Sequence, residues 1–125
     1  MIKQIKSSEI KNFLNENKDI ELLDVRTQDE WDNIGKPDGD KLGLKTHFIT
    51  IVRSPDPAAN KIFIEEVKKA VDPSKELLVM CKAGSRSMLA SQLLSEENIN
   101  CINVSDGFEG NGENSGWKNE GLPSK

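Results

Sequence analysis

Leu77-Leu78-Val79-Met80-Cys81-Lys82-Ala83-Gly84-Ser85-Arg86-Ser87, followed by Met88-Leu89-Ala90-Ser91-Gln92-Leu93-Leu94, changes character twice within eighteen residues. Its first four residues are a continuous apolar run of strand length. Small and basic residues follow Cys81 at once, and then helical spacing sets in. A strand that empties into a tight loop and a helix gathers backbone N–H groups around whatever the strand presents last. Here that is a thiol. Free N–H groups and the helix dipole stabilise an anion, and cysteines at helix N-termini ionise at pH values of roughly 3.5–7.5 rather than ~8.5. Cysteine at a strand end also serves as a small buried hydrophobe. The neighbours favour chemistry: Ala83 and Gly84 let the backbone wrap closely, Lys82 and Arg86 add positive charge, and Ser85 and Ser87 offer hydroxyls.

Working outward, Ile20 to Val25 is a second apolar run of strand length, with Leu22, Leu23 and Val25 as core residues. Thr27 and Glu30 have capping-box spacing and predict a short helix carrying Trp31. Ile10, Phe13 and Leu14 follow Ser7-Ser8 at helical spacing and predict a serine-capped helix. Gly35, Pro37, Gly39 and Gly43 mark an irregular connection, and His47 to Val52 alternates weakly as a strand. Ser54-Pro55-Asp56-Pro57 reads as a turn. Asn60 is expected to cap a helix whose inner face carries Phe63, Val67 and Ala70. Glu76–Met80, then Ser87 to about Glu96, then Asn100–Val104 predict strand, helix and strand. Asp106 to Gly116 reads as a loop, with Trp117 and Gly121-Leu122-Pro123 folding back onto the body. Strands alternating with helices imply an α/β fold with a mainly parallel sheet covered on both faces. Ligands of such sheets bind beyond the carboxyl ends of strands, where Cys81 and Asp24-Val25-Arg26 both fall.

Composition excludes several functions. The 125 residues suffice for one domain spanning 1–125. Seventeen basic residues against twenty-one acidic ones give a net charge of −4, with no basic run. Neither nucleic acid nor an anionic membrane is an expected partner. No apolar stretch approaches bilayer length, no secretory h-region opens the chain, and two cysteines do not staple a secreted scaffold, so a cytoplasmic location is expected.

Cys101 lies within an apolar strand without basic neighbours and reads as core. Nineteen residues separate it from Cys81, so no C-x-x-C redox pair exists. One histidine and two cysteines make no structural zinc site, and no metal or organic cofactor is expected. His47, among apolar residues, reads as structural. Asp24 and Arg26, two apart in a strand, start on one face. They either pair locally at the sheet rim or support the cysteine loop. Gly110-Asn111-Gly112 fails as a dinucleotide fingerprint because position 115 is Ser.

Taken in order, Leu22-Leu23-Asp24-Val25-Arg26 with Glu30-Trp31, the Cys81–Ser87 loop, Val104-Ser105-Asp106-Gly107-Phe108-Glu109-Gly110, Gly116-Trp117 and Gly121-Leu122-Pro123 give the chain a recognisable pattern. It resembles a single-domain rhodanese-like protein, a sulfurtransferase family. The resemblance implies a five-stranded parallel sheet with helices on both faces. It also implies a catalytic cysteine, Cys81, that carries transferable sulfur as a persulfide. The amides of Lys82, Ala83, Gly84, Ser85, Arg86 and Ser87 would cradle the persulfide or a bound anion, with Asp24 and Arg26 supporting. One segment departs from the pattern: the family continues after Glu-Trp with Gly-His-Ile-Pro-Gly-Ala, whereas this chain reads Asn33-Ile34-Gly35-Lys36-Pro37-Asp38-Gly39-Asp40.

The function so implied is transfer of sulfane sulfur from thiosulfate or a similar small-molecule donor to a thiol, cyanide or a protein acceptor. Two rivals stand beside it. A non-enzymatic persulfide carrier or interaction module would retain the same cysteine. A phosphatase or arsenate reductase needs five residues between its Cys and Arg, and here four separate Cys81 from Arg86.

Overall fold

Side chains of the central strand alternate between two separate cores. A computed structural model of the chain describes residues 1–52 and 58–125. In β4 (Glu76–Met80), Leu77 and Val79 face one side, with Cys81 continuing it, while Leu78 and Met80 face the other. Strand β2 (Ile20–Asp24) does the same, with Leu23 and then Val25 opposite Ile20 and Leu22. Both strands are buried on two sides, which is why they read as unbroken apolar runs.

Three further strands complete the sheet: β1 (Lys3–Ile5), β3 (Lys45–Phe48) and β5 (Cys101–Val104). Their order is β1-β5-β4-β2-β3, and every pairing is parallel. Register places Asp24 beside Met80 and Val79 beside Asn103, so the ends of β2, β4 and β5 lie together. Helices α3 (Ala58–Ala70) and α4 (Ser85–Ser95) cover one face through Phe63, Val67, Ala90 and Leu94. Helix α1 (Ile10–Glu16) covers the other through Ile10, together with Phe108, Trp117 and Leu122. Helix α2 (Gln28–Asn33) follows β2, its capping box formed by Thr27 and Glu30 as expected. The parallel α/β architecture is the one the strand–helix alternation implies, and its five strands are the number the resemblance implies.

Several local expectations are corrected. Strand β1 has no counterpart in the sequence reading. Ser7 begins a 3₁₀ turn (Ser7–Glu9), and its hydroxyl donates to Asp106 Oδ1 at 2.9 Å instead of capping α1. The His47–Val52 strand lies two residues earlier, at Lys45–Phe48. Past Phe48 the chain advances two residues against one: Ile49 N–H donates to Asp24 O, and Ile51 N–H to Val25 O. That is bulge-like slippage, which ends regular pairing. Helix α3 starts at Ala58, so Asn60 is its third residue and not its cap; Ala58-Ala59 favour helix strongly enough to extend it backwards. The 54–57 turn lies outside the described residues. His47 is structural as expected, its Nε2 2.7 Å from Glu21 Oε1.

The 33–44 connection is pinned by the C-terminal segment. Lys36 and Lys125 exchange backbone hydrogen bonds of 2.9 and 2.8 Å, and Asp38 N–H donates to Pro123 O. Trp117 is fully buried, and its Nε1–H donates to the same Pro123 carbonyl at 2.8 Å.

Candidate active site

Cys81 is the first residue beyond β4, and its side chain points to the α4 face. Gly84 closes the loop at φ 110°, a left-handed conformation open to glycine without strain, and becomes the N-cap of α4. Its carbonyl accepts the first helical bond, from Met88 N–H at 3.1 Å. This turn brings Gly84 N–H to 3.0 Å from Cys81 Sγ, and the Ser87 hydroxyl to 3.3 Å. The sulfur therefore has one main-chain donor, with a side-chain hydroxyl within reach. The N–H groups of Ser85, Arg86 and Ser87, in the first turn of α4, have no partner among the described residues. They are free for an anion placed beyond the sulfur. Cys81 is only 1% exposed, whereas Lys82, Ala83 and Ser85 are exposed. Sulfur thus lies one layer below a polar surface.

The loop is held from outside by a second glycine. Phe108 N–H donates to Cys81 O at 2.8 Å, and Glu109 N–H to Lys82 O at 3.0 Å. Between these bonds the chain passes at Gly107, where a Cβ would stand 2.4 Å from Lys82 O and 2.6 Å from Cys81 O. Only a residue without a side chain fits there. Gly107→Ala is expected to cost at least ~2 kcal/mol, from its positive φ and the backbone clash together. A thermal melt measures the loss, and a Tm within a degree of the parent would contradict it.

Asp24 and Arg26 reach the loop from the opposite face of the sheet. Both are 0% exposed. Arg26 Nε lies 3.1 Å from each Asp24 carboxylate oxygen, and its Nη2 donates to Oδ2 at 2.8 Å and to Gly35 O at 2.9 Å. The guanidinium stacks 4.3 Å from the Phe108 ring centroid. Phe108 N–H in turn donates to the Cys81 carbonyl, so the pair is linked to the loop through Phe108 and lies on the sheet face away from the sulfur.

Glu30 carries a role that its capping-box spacing hid. Besides accepting from Thr27, it takes a bidentate pair from Arg86, at 2.7 Å from Nη1 and 2.9 Å from Nη2. The Arg86 hydrogen bonds, aided by Thr27, hold its carboxyl at a pKa of about 2 against a burial that opposes them. Arg86 is raised in turn, first by Glu30. Its charge is thereby partly neutralised and its position fixed, which ties α2 to the cysteine loop. A group depressed from 4.5 to about 2 gives stability that is complete above pH 4.5 and fades as the pH falls toward 2. Glu30→Gln should therefore be less stable than the parent at pH 7 by roughly 1 kcal/mol. The gap should close between pH 4.5 and 2 in urea titrations. A gap that persists unchanged at pH 2 would rule this out.

Cys101 presents the contrasting environment. Burial pushes its thiol up to about 12, and its S–H donates to Ile99 O at 3.5 Å. It is inert core, as the sequence reading had it. No group of side chains among the described residues could hold a metal ion, and no described helix is long and apolar enough to cross a membrane.

A parallel α/β sheet with a cysteine at the end of its middle strand, under the N-terminus of the following helix, defines a class of thiol-bearing proteins. Comparison with known proteins gives the family. The rhodanese-like domain profile matches residues 7–113, and the chain belongs to that family. An uncharacterised protein of Rickettsia prowazekii is 33% identical over 124 residues, covering 98% of this chain and 97% of its own. The crystal structure of Rv0390 from M. tuberculosis superposes with a TM-score of 0.81 at 30% identity, covering 98% and 96% of the two chains. The polysulfide-sulfur transferase homodimer of Wolinella succinogenes gives a TM-score of 0.66 at 30% identity, covering 99% of this chain and 78% of that one.

Proposed function

We propose that the protein is a sulfurtransferase in which Cys81 accepts sulfane sulfur from thiosulfate or a similar donor and passes it to a thiol, cyanide or a protein acceptor. One observation carries the reading: Gly84 N–H donates to the Cys81 sulfur at the start of α4, whose first-turn N–H groups, Ser85 to Ser87, have no partner among the described residues. In the first step the thiolate attacks the outer sulfur of thiosulfate. A bond forms between Sγ and that sulfur, the donor's own S–S bond breaks, and sulfite leaves with the electron pair. The terminal sulfur of the persulfide then carries negative charge. The free amides of Ser85, Arg86 and Ser87 would receive it, the same physics as an oxyanion hole. In the second step an acceptor thiolate or cyanide attacks the terminal sulfur, and Cys81 departs as thiolate. Exposed Lys82 is a local attraction for an anionic donor on an acidic chain.

The acceptor comes from outside. Cys101 pairs in register with Leu77, four residues before Cys81, so the two sulfurs lie about 13 Å apart along the sheet. No internal thiol discharges the persulfide.

The test is intact-mass spectrometry after incubation with thiosulfate. A gain of one sulfur atom on the Cys81 peptide, lost on adding cyanide or a thiol with thiocyanate or hydropersulfide produced, is the expected result. A stable adduct that no small acceptor discharges would favour a carrier for a protein acceptor. No adduct from any sulfane donor would refute the proposal.

A further inference from the structure

The polar groups beneath the sulfur extend past the cysteine loop into β5. Asn103 pairs with Val79 and is buried on the α4 face, which Cys101, Val79 and Ala90 line with apolar atoms. An amide there requires polar partners. Its Nδ2 donates to Gly84 O and to Gln4 Oε1 of β1, each at 3.2 Å, and the Ser87 hydroxyl lies 2.5 Å from its Oδ1. A main-chain carbonyl only accepts, so Gly84 O fixes the amide with Nδ2 toward itself and Oδ1 toward Ser87.

That leaves one proton and three acceptors. Ser87 Oγ is 2.5 Å from Asn103 Oδ1, 3.2 Å from Gly84 O and 3.3 Å from Cys81 Sγ. At these lengths the amide oxygen holds the proton. We propose that Asn103 is a positioning residue for Cys81, competing with the sulfur for the single Ser87 proton and so governing when that hydroxyl turns to the sulfur. The inference rests on Cys81 as nucleophile. While Cys81 is a thiol, its S–H donates to Ser87 Oγ and the hydroxyl donates to Asn103. Once the thiol proton passes to solvent, the sulfur becomes the stronger acceptor and the hydroxyl turns to it. Asn103 Oδ1 then loses its donor, a cost set against the thiolate. Gly84, tied to Asn103 through its carbonyl, keeps its N–H on the sulfur in both states.

The readout is the rate of Cys81 alkylation by iodoacetamide against pH in the full chain, mapped to its peptide. Asn103→Leu removes the competing oxygen and is expected to move the midpoint down by about one pH unit, whereas Ser87→Ala moves it up by a similar amount. The double variant should match Ser87→Ala, since Asn103 acts through that hydroxyl. An unmoved midpoint in Asn103→Leu, or an equal shift with Ser87 already absent, overturns the proposal. A second measurement leaves residue 103 intact. In the parent, the Asn103 side-chain amide resonances should move with the alkylation midpoint, and in Cys81→Ser they should stand still. Resonances that ignore the Cys81 titration also overturn it. Neither readout involves sulfur transfer, so a chain that fails to transfer sulfur but shows these shifts refutes the proposed function and leaves the role of Asn103 standing.

Discussion

Cys81→Ser should lower thiosulfate:cyanide turnover by a thousandfold or more, on the order of what removing a covalent nucleophile costs, while the fold remains intact. Serine is nearly isosteric with cysteine, and Gly84 N–H can donate to its oxygen as it does to the sulfur, with the Ser87 hydroxyl still beside it. Stability is therefore expected to change by less than ~1 kcal/mol. Chemistry fails for a different reason: a serine hydroxyl is barely ionised at neutral pH, and oxygen does not form the disulfur bond that stores the transferred atom. Cys101→Ser is the matched control. Its thiol is held neutral by burial, and the register keeps it at the far end of the strand, so turnover should stay within about twofold of the parent for the folded protein. Turnover retained in Cys81→Ser would move the chemistry to another residue and remove the basis of the mechanism.

How much of this was legible depended on whether a residue's main partner lay nearby in sequence. β2 and β4 were visible because strands buried on both faces are apolar throughout. The Thr27–Glu30 box was visible because its partners are three residues apart. β1 was not: Lys3-Gln4-Ile5 is an edge strand with one buried residue, Ile5, and its pairing with β5 spans nearly the whole chain. β3 was displaced because Ile49 and Ile51 are as apolar as a strand demands, yet slippage against β2 removes them from the ladder. At the site, the position of Cys81 and the left-handed turn at Gly84 follow from local residue types. The second partner of Glu30 is Arg86, fifty-six residues on, and no local pattern announces it. Asn103 went unnoticed for a related reason. A polar residue inside an apolar strand looks like noise until the strand is placed against α4. Asp24 and Arg26 share a face by the alternation of β2, but which of the two faces they occupy, and so whether they meet the sulfur, follows only from the packing.

That face makes Asp24→Asn the substitution with the largest expected cost in stability. Arg26 is 0% exposed and its charge has one counter-ion among the described residues, Asp24, itself 0% exposed. Asparagine keeps the volume and one acceptor but removes the charge, leaving a guanidinium in a site closed to water. Of its remaining contacts, Gly35 O takes one Nη2 proton and the Phe108 ring a face. Nη1 has no partner among the described residues even in the parent. Stranding one partner of a buried pair costs roughly 3–5 kcal/mol, a large share of the ~5–15 kcal/mol that stabilises a typical domain. Arg26→Met should cost less at low pH, because Asp24 can take a proton and become neutral, an escape arginine lacks. Replacing both, as Asp24→Leu with Arg26→Met, should recover much of the loss by removing both buried charges together. Urea unfolding of the four proteins measures each term. A loss below about 1 kcal/mol in Asp24→Asn would show that the guanidinium finds water or another partner, and the pair would then be dispensable to the loop. If the cost is as expected, part of it should reach the sulfur. Phe108, freed from the guanidinium, holds the Cys81 carbonyl by one hydrogen bond, so the folded fraction of Asp24→Asn should alkylate Cys81 with an altered pH midpoint, although the substitution lies on the other side of the sheet.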